Sequence, residues 1–297
     1  MATLKDVKMK IGAVKKTKQI TKAMNMVAAS KLRGAQTTME SFRPYATKFA
    51  EVLGSLAERA GEEVSPLLVE RDEVKKIHVV LCTSDRGLCG GFNTNLITKA
   101  EAFLKGKTGT GIEFSFTNFG KKGRAWCRKK GKTIADDYIG VVGGRFEFNT
   151  ALKAGRKLIS GFLDGNYDEV WIIYSEFVSV ARQTPVLAKL LPIPPLEKAA
   201  KDAEDKSRPY MAEHICEPSS AELLNDMLPR NVYVQIYRSL LETSTSEHAA
   251  RMAAMDNATK ACNDMIGSLT LAYNKARQAA ITAELMDIVG GAEALKG

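Results

Sequence analysis

The feature that most constrains this fold is a long proline-free stretch near the C-terminus, from Asn231 to about Val289. Roughly 59 residues of α-helix, at about 1.5 Å per residue, would extend close to 90 Å. A helix of that length is not stable alone, because helices in water depend on tertiary packing of one face. The chain must therefore supply a second long helix as its partner.

The predicted inward face of this helix consists of small or flexible side chains, which let two helix backbones approach closely. It comprises Ala250, Ala254, Ala258, Ala261, Met265, Leu269, Ala272, Ala276 and Ala280.

The N-terminal residues, from Ala2 to about Ala60, supply the partner helix. Its first apolar residues have the alternating spacing of a coiled-coil seam, and the stripe then drifts along the helix: Leu4, Val7, Ile11 and Val14, followed by Ile20, Met24, Val27, Ala28, Leu32 and Ala35. Pro44 predicts a bend or a restart, because proline removes a helical hydrogen bond. The two terminal helices are expected to wind around each other antiparallel.

Positive charge is concentrated in the first 33 residues, which hold nine basic residues and one acidic residue, Asp6. This segment carries +8 of the formal net charge of +9. A long basic amphipathic helix predicts an acidic partner.

Between the helices the hydrophobic period changes to alternating strands and helices, which predicts an α/β layer with a largely parallel sheet. The predicted strands are Ile77–Cys82, Ile112–Phe116, Tyr138–Val142, Glu169–Val180 and an edge strand Arg182–Leu190. The predicted helices are Asn93–Leu104, Lys121–Lys130 and Thr150–Phe162. A proline-rich and then charged stretch, Pro192–Pro209, predicts a linker.

The expected architecture is a long antiparallel coiled coil of the N- and C-terminal helices with an inserted Rossmann-like α/β domain. The expected domains are an N-terminal helix over 1–60, the α/β domain over 74–195, a linker over 196–212 and a C-terminal helix over 213–297.

A glycine-rich turn, Thr83–Asn93, follows the first strand and opens a helix. Its glycines would let backbone amides approach a phosphate at a helix N-terminus. The spacing matches neither GxGxxG nor GxxxxGK[ST], and a tight strand-to-helix turn is the favoured interpretation. The three histidines are isolated and the five cysteines are scattered without a CxxC pair. The sequence predicts no catalytic group set, no metal site and no cofactor, and reduced cytosolic thiols.

Four polar residues near the C-terminus share one helix face: Asn274, Arg277, Gln278 and Thr282. A row of hydrogen-bonding groups amid alanines indicates either a docking surface or the exposed flank of a coiled coil, and spacing alone does not decide between them. The chain has no apolar run long enough to span a membrane and no secretory signal, so an intracellular protein is expected.

Several motifs closely resemble the γ subunit of the F-type ATP synthase: TKQITKAMNMVAASKL (Thr17–Leu32), SDRGLCGGFN, SEHAARMAAMDNATKA (Ser246–Ala261) and YNKARQAAITAELMDIVGGA. The resemblance implies a central-stalk rotor, without a catalytic site or cofactor of its own, in a ring of α and β subunits. Its α/β domain would lie on the proton-driven c-ring beside the ε subunit, at the cytoplasmic face of a bacterial inner membrane.

The resemblance also assigns contact residues. Arg277, Gln278 and Thr282 fall in the family's contact region with the β subunits. Met24, also a β-subunit contact, falls at the N-terminal helix position that faces the acidic loop, and Glu217 falls near the family's c-ring contact. Lys15, Lys16, Lys18 and Lys22 would face an acidic loop of the β subunit.

Two other functions compete with the rotor. A nucleic-acid-binding coiled coil would use the basic helix to follow phosphates. It is disfavoured because that segment has no aromatic residue before Phe42. A nucleotide-dependent α/β enzyme would rest on the glycine-rich turn alone.

Overall fold

The computed structural model describes residues 4–59, 65–107, 111–144, 146–194 and 219–294. These ranges hold five helices and five strands in the order α1 (Leu4–Arg59), β1 (Lys76–Cys82), α2 (Phe92–Gly106), β2 (Glu113–Phe119), α3 (Lys121–Lys129), β3 (Thr133–Tyr138), α4 (Phe148–Leu163), β4 (Glu169–Phe177), β5 (Gln183–Leu191) and α5 (Ser220–Ala294). The expected architecture, with a helix at each end and an α/β sheet between them, is confirmed.

The chain divides into two compact units. The first comprises Met1–Ala29 with Arg251–Gly297 and is called the terminal unit. The second comprises Ser30–Ala250 and is called the sheet unit.

The sheet has the strand order β3-β2-β1-β4-β5. The first four strands are parallel, and β5 runs antiparallel along the edge of β4. This is a Rossmann-like order in which the chain reverses direction across the sheet between β1 and β4. The strand predictions at β1, β2, β4 and the edge strand β5 are confirmed.

Hydrophobic clusters cover both faces of the sheet, because successive strand residues point to opposite sides. On one face Ile77, Val79 and Leu81 pack with Leu96 of α2 and Cys127 of α3. On the other face Val80 and Cys82 belong to a cluster that includes side chains of three helices: Leu53 of α1, Leu158 of α4 and Leu228 of α5.

The third strand is not where the sequence placed it. Tyr138–Val142 was the expected strand, whereas the structure pairs Thr133–Tyr138 with β2. The actual strand, TIADDY, has an edge position and alternates between exposed and half-buried residues. An edge strand can carry two aspartates because one of its sides faces solvent. The apolar run that predicts a strand is therefore missing from β3.

Both long helices pass through prolines. Of the bend or restart expected at Pro44, the restart is excluded, since α1 continues through Pro44 as one helix, and α5, which begins at Ser220, contains Pro229. Pro44 is exposed, so water can satisfy the carbonyl group that its missing N–H leaves unpaired.

The packing seam of the terminal unit keeps a strict alternation of three and four residues. On α1 its half-buried or buried members are Leu4, Val7, Ile11, Val14, Lys18, Thr21, Asn25 and Ala28. The expected drift through Ile20 and Val27 is wrong, because these side chains are 60% and 58% exposed.

On α5 the seam lies one residue beyond the predicted face, except at Leu269, which belongs to both. Its members are Met255, Thr259, Cys262, Ile266, Leu269 and Tyr273, whereas the predicted Ala261, Met265, Ala272 and Ala276 are exposed. Small residues flank the seam on both sides, so alanine spacing alone did not fix its phase.

Candidate functional site

The basic residues of α1 lie on the surface of the terminal unit. Lys15, Lys16 and Lys22 are exposed, and Lys18 is half-buried in the seam. In the part of the chain that the structure describes, none of these four lysines forms an ion pair. Met24 is half-buried beside seam residue Asn25. The helix thus presents free cations along a face that its own partner helix does not neutralise.

Two polar contacts fix the register of the helix pair in the terminal unit. The hydroxyl oxygens of Thr21 and Thr259 are 2.8 Å apart, and the Asn25 side-chain amide donates to the Met252 carbonyl at 2.8 Å. Residue numbers rise on α1 while they fall on α5, so the pairing is antiparallel.

The same register places the start of α1 opposite the beginning of the last third of α5. At equal rise per residue, Leu4 lies near the level of Tyr273, the last half-buried residue of the α5 seam before Ala280. Arg277, Gln278 and Thr282 therefore lie beyond the described part of α1.

The C-terminal row is exposed along its whole length. Arg277, Gln278, Thr282 and Asn274 are all exposed, and the Thr282 hydroxyl donates back to the Gln278 carbonyl at 2.9 Å. The structure thus brings these residues together on one helix face. It does not join them to the α1 lysines, since Arg277 lies about 20 Å further along the axis than the level of Lys15.

Large apolar side chains surround this row, and no other described part of the chain covers them. Their exposed fractions are 73% for Leu271, 46% for Ile281, 57% for Leu285, 67% for Met286, 70% for Ile288 and 54% for Val289. Contiguous exposed apolar surface of this kind marks an interaction site. The docking interpretation of the row is favoured over a coiled-coil flank, because no second described helix reaches this level.

Two sequence predictions lie outside the described residues. Glu217, the expected c-ring contact, and the linker over 196–212 both belong to the stretch between 194 and 219, for which the structure gives no description.

The glycine-rich turn is held by its own side chains. The Asn93 side-chain carbonyl accepts the Ser84 N–H at 3.0 Å, and its amide donates to the Ser84 hydroxyl at 2.8 Å. The Asp85 carboxylate accepts the backbone N–H groups of Lys121 and Gly140 at 3.0 and 2.9 Å. These polar groups tie three strand-to-helix connections together, which supports a structural turn.

The carboxyl end of β4 is occupied by α5. Beyond Ile173, β4 has no pairing with β1. The hydroxyl of Thr243 accepts the Ser175 N–H at 3.3 Å, and the Ser246 hydroxyl donates to the Ser175 carbonyl at 3.2 Å. Nucleotides in Rossmann-like folds bind beside this reversal point of the sheet. Here helix hydroxyls fill the corresponding position next to β4.

Burial favours the neutral forms of His78 in β1 and Cys127 in α3. Burial lowers the pKa of His78 to about 4, and its ring nitrogens lie 2.7 and 2.8 Å from the hydroxyls of Ser115 and Thr117. Burial raises the pKa of the Cys127 thiol to about 11. Among the described residues no group of histidine, cysteine, aspartate and glutamate side chains is arranged to hold a metal ion.

A second basic region escaped the sequence interpretation. Residues 121–132 hold seven basic residues and no acidic residue. The near balance of charge beyond residue 33 concealed it, because averaging over a long segment removes a local cluster. The run KKGRAWCRKKGK was the signal that could have revealed it.

The fold and the exposed surfaces together define a structural class of protein. The chain is a helix-pair protein with an inserted Rossmann-like unit, and its candidate sites are exposed helix surfaces. No helix in the described ranges has both the length and the apolar character needed to cross a bilayer.

Comparison with known proteins gives the family. The ATP synthase family model matches residues 3–295. The ATP synthase gamma chain of Desulfosudis oleivorans is 70% identical over 298 residues, covering 100% of both chains. That of Desulforapulum autotrophicum is 62% identical and covers 99% of this chain and 100% of its own. The chain therefore belongs to the ATP synthase γ-chain family, as its motifs suggested.

Solved structures of low identity share the fold. A chain of the Tetrahymena thermophila mitochondrial ATP synthase central stalk and c-ring has a TM-score of 0.61 at 24% identity, covering 80% of this chain and 99% of its own. A chain of the Euglena gracilis mitochondrial ATP synthase has a TM-score of 0.64 at 19% identity, covering 98% of this chain and 94% of its own.

Proposed function

We propose that this chain is the rotor shaft of a proton-translocating F-type ATP synthase. Rotation of the membrane c-ring turns the shaft, and the shaft imposes sequential conformational changes on three β subunits that carry the catalytic sites. The chain itself performs no catalysis and acts peripherally, at the cytoplasmic face of a bacterial inner membrane. Its partners are the α and β subunits, the ε subunit and the c-ring.

The observation that carries this proposal is the uncovered C-terminal part of α5. It has no described partner helix and exposes large apolar side chains such as Leu271 and Ile288. An apolar helix end that is stable in solution needs another protein around it. A surrounding ring of subunits supplies such a cover on all sides.

The proposed contacts follow the two surfaces. Arg277, Gln278 and Thr282 contact the β subunits at the C-terminal row. Lys15, Lys16, Lys18 and Lys22 form a distributed electrostatic track on α1, and Met24 lies beside it. Glu217 is the proposed c-ring contact. The proposed domains are 1–60, 74–195, 196–212 and 213–297, with the first and last paired.

The two contact surfaces should differ in how strongly single residues matter. An arginine enclosed by a partner can make two parallel hydrogen bonds to a carboxylate, and removing it leaves the partner unsatisfied at a cost of about 1–3 kcal/mol. An exposed lysine pair contributes about 0–1 kcal/mol. A single substitution of Arg277 should therefore cost more binding energy than a single substitution of any of the four track lysines.

The experiment reconstitutes the chain with α and β subunits and measures ATPase turnover. Arg277→Ala and Gln278→Ala should lower turnover, while the melting temperature of the isolated chain stays unchanged because alanine favours helix. Lys22→Ala serves as the control and should be mild, whereas reversing all four lysines to glutamate should impair assembly. The proposal fails if the unmodified chain does not assemble with the α and β subunits. If Arg277→Ala melts several degrees lower and yet turns over normally once assembled, the docking assignment is wrong.

A further inference from the structure

The middle of α5 is buried on every side. Residues 239–249 are all buried, and a stretch of that length makes about three turns of helix, so none of its faces is open to solvent. Within it, residues 242–248 form an unbroken polar run that begins at Glu242 and ends at His248. Burying polar groups costs free energy unless they are hydrogen-bonded, so an apolar run would pack here with a smaller loss. What directed polar contacts add to burial is a defined orientation.

Two hydroxyl groups of this run complete the edge of strand β4. The pairing of β4 with β1 ends at Ile173, which leaves the backbone groups of Ser175 beyond that ladder. The Thr243 hydroxyl accepts the Ser175 N–H at 3.3 Å, and the Ser246 hydroxyl donates to the Ser175 carbonyl at 3.2 Å. Ser175 is buried, so both backbone groups need partners inside the protein. Helix α5 therefore supplies the bonds that a neighbouring strand supplies elsewhere in the sheet.

A third contact joins α5 to the loop between β3 and α4. The carboxylate of buried Glu247 packs against Gly143, where an added Cβ would lie 2.6 Å from the Glu247 Oε2 atom. The same loop is fastened to the turn after β1, because the Asp85 carboxylate accepts the Gly140 N–H at 2.9 Å. The loop is thus held by the sheet and fits closely against one side chain of α5.

We propose that Thr243, Ser246 and Glu247 are positioning residues for energy coupling. They fix α5 to the carboxyl ends of β3 and β4, so that force applied to the sheet reaches the shaft helix. The inference rests on the proposed rotor function and gives these side chains no contact with nucleotide. A rotor driven through its sheet must turn α5 against the resistance of the surrounding subunits. Apolar packing is non-directional, whereas a hydrogen bond weakens steeply when its angle changes, so the directed contacts hold α5 in one orientation under load.

A purely structural role of the same contacts makes a different prediction. If they only stabilise the fold, their loss lowers ATP hydrolysis and proton pumping in the same proportion, whatever gradient opposes the pump. If they position α5, their loss lowers the protons pumped per ATP hydrolysed, and the deficit increases with the opposing gradient. The ratio of pumping to hydrolysis therefore separates the two roles, which a melting temperature does not.

The first test uses the synthase assembled in membrane vesicles, with and without an opposing proton gradient. The test variant combines Thr243→Val with Ser246→Ala and removes both bonds to Ser175. Protons pumped per ATP should fall at least about twofold under the gradient, because both directed bonds are lost, and the deficit should shrink when the gradient is removed. Thr243→Ser and Ser246→Thr keep the hydroxyl groups and should retain the wild-type ratio.

The matched control combines Thr245→Val with Ser244→Ala. It removes the same two kinds of hydroxyl from the same buried run. The Thr245 hydroxyl donates at 2.9 Å to the Leu241 carbonyl of its own helix, so the bonds to the sheet stay intact. The control should follow the wild type at every gradient. A test variant that matches the wild type under load, or a control that loses as much as the test variant, would overturn the proposal.

Single variants keep the first test decisive where the double variant does not assemble. Thr243→Val and Ser246→Ala each leave one of the two bonds to Ser175 in place. Each should lower the ratio of pumping to hydrolysis under load by less than the double variant does. Ratios equal to the wild type in both single variants would then count against the positioning role.

A second test approaches the same joint from the side of the sheet. Gly143→Ala places a methyl group against the Glu247 carboxylate, whereas nothing lies within 4 Å of a Cβ added at Gly140. The two glycines have φ values of +80° and +82°, so alanine strains the backbone alike at both positions. Under load, Gly143→Ala should pump at least about twofold fewer protons per ATP than Gly140→Ala, because backbone and side chain must shift to admit the methyl group. Equal ratios in the two variants would overturn the role of Glu247.

Failure of the rotor function gives a separate result. A wild-type chain that does not assemble into a complex that hydrolyses ATP and pumps protons refutes the rotor function itself. A wild-type complex that pumps, with test variants indistinguishable from their controls, refutes only the positioning role. Loss of hydrolysis and pumping in equal proportion at every gradient would mark the contacts as structural and would also refute that role.

Discussion

Different interactions stabilise the terminal unit and the sheet unit internally. In the terminal unit only Thr21, Ala28 and Met255 of the described residues are buried. Its seam includes Lys18, Thr21 and Asn25, and its helices are joined by polar contacts. The sheet unit contains both large hydrophobic clusters, with strand residues such as Val80 and Leu81 fully buried.

This difference associates stability mainly with the sheet unit and recognition of partners mainly with the terminal unit. Burial of apolar surface is the main favourable term in folding. The sheet unit gains this term through its two hydrophobic clusters. The terminal unit leaves much of its apolar surface exposed, and this surface is available to partner subunits. Both tryptophans lie in the sheet unit, so fluorescence follows its unfolding separately from the helical signal.

The largest expected contrast comes from the same substitution in the two units. At Gly120, φ is +104° and an added Cβ would lie 2.2 Å from the Thr83 carbonyl oxygen. Because backbone cannot move aside easily, Gly120→Ala should destabilise the sheet unit by at least about 3 kcal/mol. At Gly12 nothing lies within 4 Å of the added atom. Gly12→Ala should stabilise α1 by up to about 1 kcal/mol.

Urea unfolding followed by tryptophan fluorescence measures the first change, and hydrogen exchange of N-terminal peptides measures the second. If both substitutions shift stability in the same direction by similar amounts, the proposed division between the units is wrong.

The second prediction concerns acid stability, which should be governed by the sheet unit. The pKa of His78 is about 4 in the folded chain, against an ordinary value of 6.5. A lowered folded pKa contributes stability above pH 6.5, and this contribution is lost as pH falls toward 4. The loss is about 3 kcal/mol. Urea unfolding at pH 7 and pH 4.5 should show it in fluorescence.

His78→Gln provides the control for this experiment. It retains polar atoms at the site but does not titrate, so it should lose less stability than the wild type between the two pH values. An identical pH dependence in the two proteins would assign the loss to other groups.

A smaller effect should follow from loss of the amide contact in the seam. Asn25 donates to the Met252 carbonyl, whereas Asn274 is exposed. Alanine at either position gains the same helix propensity, so their difference isolates the contact. Asn25→Ala should be less stable than Asn274→Ala by about 1 kcal/mol. Hydrogen exchange of peptides spanning each site tests this, and equal protection changes would mean that the contact adds no stability.

The smallest effect is expected for the threonine pair. Thr21 also donates to the Lys18 carbonyl and Thr259 to the Met255 carbonyl. Three contacts compete for two hydroxyl protons, so the bond between the threonines is formed only when one of the others is given up. A double-mutant cycle with Thr21→Val and Thr259→Val should give a coupling below about 0.5 kcal/mol. A coupling near 2 kcal/mol would contradict this account.

Sequence reasoning succeeded where local pattern and tertiary packing agree. The strands β1 and β4 are apolar and rich in β-branched residues, and their central position buries both faces, so a short apolar run identifies them. It failed at β3, because an edge strand needs few apolar residues. Helix α5 continues through Pro229, because packing of Leu224 and Leu228 outweighs the single hydrogen bond lost there.

The candidate contact surfaces were partly accessible from sequence. The spacing of Asn274, Gln278 and Thr282 predicted a common face, and helix geometry alone ensures it. Its exposure depended on how far α1 reaches, which the register of Thr21 and Thr259 sets and no local pattern encodes. The basic residues of α3 are evident in the sequence. Their outward orientation, however, follows from the packing of Trp126 and Cys127 on the sheet, which the sequence does not show.

The bonding of Ser175 has a mechanical consequence. Its N–H and carbonyl groups are held by Thr243 and Ser246, which lie almost one turn apart on α5. If α5 turned about its own axis by the angle of one residue, about 100°, both hydroxyls would leave the strand edge. Slippage at this joint would therefore break two hydrogen bonds at once. Two hydrogen bonds therefore resist rotation of α5 at Ser175, whereas apolar packing alone would allow the helix to rotate gradually.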